Sequence, residues 1–214
     1  MATIFVTGTT GFLGSHFLIN FVGTHFDRAY VLIRGATDEV RRGKLITALR
    51  QAADSYAVKP NLDALLDRVT IVQGDISVAD FGVSEAAMAE LAAAKIDQFW
   101  HYAASLNYEE HRREMIKSTN IDGALFAANF CKAANIGRFV YMSTAYTCGK
   151  GNGPVPEALH AEDSTPFSNY YEESKCNAEH ALVQACRANG TPLTIFRRSV
   201  VIGDSQTKHP GGSD

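Results

Sequence analysis

Apolar positions along the chain fall into six short runs separated by stretches of helical spacing. Ile4-Phe5-Val6, Ala29 to Ile33, Val69 to Val72, Gln98 to Ala103, Arg138 to Met142 and Leu193 to Phe196 read as strands. Between them, residues 11–22 are amphipathic, and Asp38 to Ala53 carries Val40, Leu45, Ile46 and Leu49 at helical spacing. Ser84 is placed to cap an Ala-rich helix running to Ala94. Thr119 to Ala134 predicts a long helix burying Ile121, Leu125, Ala128 and Phe130, and Asn169 to Ala188 predicts another. Residues 54–61, with Pro60, and 149–165, with several Gly and Pro, are irregular. Strands that alternate with helices need covering crossovers, so the pattern predicts an α/β fold with a doubly wound parallel sheet of the Rossmann type. One domain is expected over residues 1–204, with 205–214, rich in Gly and polar residues, as a flexible tail.

Such a sheet binds ligands at the carboxyl ends of its strands. The first strand runs into Thr7-Gly8-Thr9-Thr10-Gly11-Phe12-Leu13-Gly14, a glycine turn opening a helix. Glycines at 8, 11 and 14 let a pyrophosphate approach the first helical amides, which predicts a dinucleotide. The second strand ends at Arg34, where an acid would hydrogen-bond the ribose 2′-hydroxyl of NAD. A guanidinium there is matched instead to a 2′-phosphate, so NADP(H) is the expected cofactor, with Lys44 adding nearby positive charge beside Arg41 and Arg42.

Composition narrows the alternatives. A formal net charge of −3 over 214 residues gives no reason to expect nucleic acid or an anionic membrane as partner. No apolar run approaches membrane-spanning length, and the first strand begins at Ala2 or Thr3 without room for a secretory signal, so a cytoplasmic location is expected. Cys131, Cys148, Cys176 and Cys186 lack metal-site spacing and read as small apolar residues; no metal is expected. Self-association is left open.

Tyr171 and Lys175 stand four apart on a predicted helix and share a face, whereas Tyr170 points off it. An ammonium beside a phenol favours the phenolate, which predicts a lowered Tyr171 pKa and proton exchange near neutrality. Thr144, after the fifth strand, can offer a hydroxyl to the same substrate oxygen.

Together TGTTGFLG, Gly74-Asp75-Ile76, Ala103-Ala104-Ser105, Asn120, YMSTAY at 141–146 and YEESK at 171–175 resemble the extended short-chain dehydrogenase/reductase family. GFLG, the strand ending LIR and the Ser143-Thr144 pair are most similar to its fatty acyl-CoA reductase and thioester (carboxylic acid) reductase branch. The resemblance implies Thr144, Tyr171 and Lys175 as catalytic triad, with Lys175 also on the nicotinamide ribose. It implies Gly8, Thr10, Gly11, Phe12, Leu13 and Gly14 as the pyrophosphate turn and Asp75 and Ile76 as adenine contacts. Ala103, Ala104, Ser105 and Asn120 complete the implied cofactor site. The implied partner is a small-molecule carbonyl or acyl thioester, reduced to aldehyde or alcohol. The same triad serves nucleotide-sugar epimerases and dehydratases with NAD, and a non-catalytic NADP-binding sensor is the non-enzymatic alternative.

Two features depart from the family pattern. Arg197 is followed by Arg198-Ser199, where relatives usually carry proline. The family also builds its substrate-binding region from sequence beyond this point, so that region is expected to be short or missing and acyl reduction weak unless further sequence or a partner completes the pocket.

Overall fold

A computed structural model describes residues 2–151, 153–160, 166–205 and 207–210. Six parallel strands, β1 (Ala2–Thr7), β2 (Phe26–Ile33), β3 (Val69–Gln73), β4 (Gln98–His101), β5 (Phe139–Thr144) and β6 (Leu193–Arg198), form one sheet in the order β3-β2-β1-β4-β5-β6. The order reverses between β1 and β4, which opens a crevice at their carboxyl ends.

Helices cover both faces because the central strands are apolar on both. In β1, Ile4, Phe5 and Val6 are fully buried. Phe5 packs with Phe81, Phe99, Phe130 and Phe139 under α6 (Gly123–Ala133) and α7 (Tyr170–Asn189). Ile4 and Val6 face the other way, with Phe17, Leu18, Leu45 and Leu49, under α1 (Phe12–Phe21) and α2 (Asp38–Ala53). Caps follow the sequence: Ser84 accepts from Ala87 N–H at α4 (Glu85–Ala93), and Asn169 accepts from Glu172 N–H at α7.

Three local features differ from the expected pattern. A short helix, α3 (Leu62–Leu66), capped by Asn61, follows the polar break. The helix expected over 119–134 begins earlier, at α5 (Arg113–Lys117), and passes through one π-helical turn, Ser118–Asp122, before α6. The described part of the tail folds back: Gly203 bridges Pro210, and Thr207 Oγ1 donates to the Ser55 carbonyl at 2.7 Å. Within the expected flexible tail, residues 206 and 211–214 lie outside the described residues, as do 152 and 161–165 of the irregular 149–165 stretch.

Candidate active site

The crevice is a cavity of about 1020 Å³ running along the carboxyl ends of the strands. At its centre lies the glycine turn. Gly8 has φ +76°, and a Cβ there would fall 2.6 Å from the Ala103 backbone nitrogen. A Cβ on Gly14 would fall 2.3 Å from the Gly8 carbonyl oxygen. Both positions therefore exclude any side chain, and the first turn of α1 is laid bare toward the cavity, where its unpaired amides favour an anion. Thr10, Gly11, Phe12 and Leu13 line the same wall. This cradle fits a dinucleotide pyrophosphate.

One end of the cavity holds Arg34, Asp75 and Ile76. Arg34 Nη1 lies 3.2 Å from Asp75 Oδ2, and its side chain is 78% exposed, so the guanidinium is accessible to a second anion. Burial pulls the Asp75 carboxyl up, but hydrogen bonds from Ser77 and the Arg34 charge outweigh it and hold the pKa below its usual range. Lys44 does not line the cavity; its ammonium donates to the Arg34 carbonyl at 2.7 Å and braces the end of β2.

The other end gathers Thr144, Tyr171 and Lys175, all buried, with Met142, Tyr146 and Arg198. Thr144 ends β5, and its Oγ1 accepts from Tyr146 N–H at 3.3 Å. Tyr171 and Lys175 project from the first turns of α7. Tyr108 packs edge-on against the Tyr171 ring, with centroids 5.5 Å apart. Tyr170 instead stacks under the Arg113 guanidinium, 3.9 Å from its ring centroid, and does not line the cavity.

Lys175 is held from behind. Its Nζ donates to Tyr141 Oη at 2.9 Å and to the Met142 carbonyl at 2.7 Å. Burial and the Arg198 charge bring its pKa down to about 7, with Glu179 opposing them. The expected lowering of the Tyr171 pKa by Lys175 is corrected by this geometry. Burial raises the Tyr171 phenol above its usual value, and the cation that pulls against burial is Arg198. The physical reason is that the ammonium is spent on Tyr141 and a backbone carbonyl.

Ala103 and Ala104 line the central wall, whereas Ser105 and Asn120 lie behind it. Asn120, in the π-helical turn, accepts from Ser105 N–H at 2.7 Å and donates to the Ser105 carbonyl at 3.1 Å and to Ser174 Oγ at 3.0 Å. It ties the loop after β4 to α7. A π turn within a helix is a frequent mark of a functional site, here placing one amide across two elements.

Sequence reasoning missed several supporting groups. Glu179 is fully buried on α7, accepts from Ser143 Oγ at 2.5 Å and pairs with Arg197 at 2.6 Å, locking β5 and β6 to the helix that carries Tyr171. Tyr141, in an apolar strand, reads as core until its hydroxyl is seen on Lys175. His101 packs parallel to Tyr141, its Nδ1 lies 2.8 Å from Thr7 Oγ1, and burial, with the Lys175 charge, takes its pKa down to about 3. Among the described residues no group of three or more His, Cys, Asp or Glu could hold a metal ion, and no helix is long and apolar enough to cross a membrane.

The sequence model of the Male sterility protein family matches residues 6–214. The chain is 32% identical over 218 residues to nonribosomal peptide synthetase asaC of Aspergillus flavus, covering 94% of this chain and 20% of that protein. It is 31% identical over 164 residues to probable fatty acyl-CoA reductase 5 of Arabidopsis thaliana, covering 72% and 33%. Among solved structures it is similar to the terminal R domain from the myxalamid PKS-NRPS biosynthetic pathway, with TM-score 0.81 and 30% identity over 96% of this chain and 51% of that one. The chain thus spans a fifth to a third of these two curated relatives and about half of the solved domain.

Proposed function

Because this chain belongs to the Male sterility protein family, within the extended short-chain dehydrogenases/reductases, we propose that it is an NADPH-dependent reductase of acyl thioesters or related carbonyls. The observation that carries this reading is the single cavity joining the glycine cradle, the exposed Arg34 and the buried Thr144, Tyr171 and Lys175. Gly8 to Gly14 would hold the pyrophosphate on the amides of α1, and Arg34 the 2′-phosphate. The reduced nicotinamide supplies a hydride when bound.

Thr144 and Tyr171 hold the substrate carbonyl oxygen by hydrogen bonds, which polarises the carbon toward hydride. As the oxygen gains charge, Tyr171 gives it a proton. Burial keeps this phenol protonated and therefore a donor, which suits reduction better than oxidation. From a thioester the resulting hemithioacetal breaks its carbon–sulfur bond to give an aldehyde and a thiol. Lys175, with a pKa of about 7, can return a proton to Tyr171 near neutrality.

The relatives' names support the substrate class: one is a fatty acyl-CoA reductase and another a nonribosomal peptide synthetase. Tyr171→Phe tests the reading. It is expected to keep NADPH binding within about threefold and to lose at least a hundredfold in NADPH oxidation driven by an acyl thioester. Turnover at the parent rate would exclude Tyr171 as the proton donor.

A further inference from the structure

Arg198 is the cation of this cavity to which the reductase reading gives no task. Arg34 meets Asp75, and Lys175 meets Tyr141 and the Met142 carbonyl. Arg198 ends β6, and the parallel register sets it beside Thr144 at the neighbouring strand end. Its side chain lines the reaction end of the cavity and also an adjoining apolar cavity of about 530 Å³, walled by Phe17, Trp100, Tyr102 and Phe196. The preceding Arg197 is satisfied by Glu179. Arg198 has no such carboxylate among the described residues. Among the described residues its hydrogen bond is from Nη1 to the Ser199 carbonyl at 3.2 Å, while its Nε is buried without a partner. Asp75, the carboxylate that lines the cavity, lies at the opposite end and is already paired.

A guanidinium carries five donors in a planar fork that matches a carboxylate. Among the described residues it stands against apolar walls with one backbone acceptor, so an anionic group entering the cavity would meet a guanidinium with donors to spare.

We propose that Arg198 is a specificity-determining residue that binds a carboxylate on the acyl group, a few bonds from the carbonyl held by Thr144 and Tyr171, so that the substrate is a carboxylate-bearing acyl thioester. The inference deepens the reductase reading and rests on it. Register limits the reach: a side chain one strand away from Thr144 meets a group close to the reacting carbon, not the far end of a long chain. Anionic oxygens of the cofactor pyrophosphate are the other source of the same chemistry, but the amides of α1 already face those.

The probes are the N-acetylcysteamine thioesters of succinate and of its monomethyl ester, which differ by one charge. The parent protein is expected to prefer the succinyl thioester by at least about tenfold in kcat/KM, the range of a charge-assisted hydrogen bond. In Arg198→Met the ratio of the two should fall to near one, and Arg198→Lys, which keeps the charge, should retain part of it. NADPH affinity, read by nicotinamide fluorescence, should change less than threefold in both variants. Calorimetry of the corresponding unreactive amides with the NADP⁺-loaded protein should show the same preference and its loss in Arg198→Met. Absence of the amide preference in the parent, or its persistence in Arg198→Met, would overturn the proposal. A tenfold loss of NADPH affinity in Arg198→Met would give the guanidinium to the cofactor instead and overturn it as well. If neither thioester is reduced while the amide preference behaves as expected, the anion site stands and the reductase reading falls.

Discussion

Replacing Arg34 by alanine separates the two nicotinamide cofactors by the one phosphate in which they differ. A charge-assisted hydrogen bond contributes about 1.5–3 kcal/mol when well shielded. Arg34 is 78% exposed, so solvent screening brings the lower half of that range into play. Engaging a phosphate also weakens the bridge to Asp75, an exposed pair that contributes at most about 1 kcal/mol. The net is on the order of 1–2 kcal/mol, or roughly 5- to 30-fold in affinity. Arg34→Ala should therefore weaken NADPH by that factor and leave NADH within about twofold. The assay is titration of nicotinamide fluorescence with each cofactor at low ionic strength, repeated in high salt, where the parent's preference should narrow. Equal loss for both cofactors would show that Arg34 only supports the adenine side of the crevice. No loss for either would remove the phosphate contact, and with it the reason to expect NADPH.

Other expectations follow from the supporting groups. Glu179→Gln strips the charge from the fully buried partner of Arg197; with breakage of such a pair costing about 3–5 kcal/mol, the thermal midpoint should drop by roughly 6–20 °C. A calorimetric shift under 2 °C would show the pair to be dispensable. Asn120→Ala leaves the Ser105 N–H and carbonyl without their partner, a cost of about 1–3 kcal/mol that denaturant unfolding would register. For His101, folded and unfolded pKa values of about 3 and 6.5 mean that the unfolded chain binds the extra proton, so stability is full above pH 6.5 and declines as pH falls. By pH 5 the loss is about 2 kcal/mol, and a His101→Gln variant should show a shallower decline in urea midpoint over that interval.

The fold and the cofactor end of the site are legible in the sequence because local rules govern them. Three glycines can be placed by counting from an apolar strand, and Arg34 by counting to the end of the next. The structure keeps both in the cavity wall. Lys44 was not separable from them by spacing alone: it sits near Arg34 in sequence, but its ammonium is used by a backbone carbonyl. The π turn was hidden for a similar reason, since Asn120 sits in an apolar period that a regular helix would also show. What distorts the helix locally is accompanied by three hydrogen bonds to residues 15 and 54 positions away.

The reaction end is legible only in part, because spacing predicts which side chains share a helix face but not which partner each will choose. Tyr171 and Lys175 do face one cavity. The sequence suggests that the ammonium serves the phenol, as proximity on a helix would allow. In the folded chain the fifth strand intervenes: Tyr141 and the Met142 carbonyl take the ammonium, and both groups sit in low-dielectric surroundings. Desolvation then acts in opposite senses on an acid that is neutral when protonated and a base that is charged when protonated. It raises the phenol above its ordinary value and lowers the ammonium to about 7, so two pKa values that are close together in water move apart. Burial, more than mutual attraction, thus keeps the phenol protonated and lets the ammonium release its proton near neutrality. Arg198, which the sequence marks only as a departure from the family's usual proline, lines the same cavity as both groups. A negative group bound there would offset the cation that pulls both pKa values down, so in the proposed reaction the electrostatics of the proton-giving phenol would be coupled to what the substrate carries.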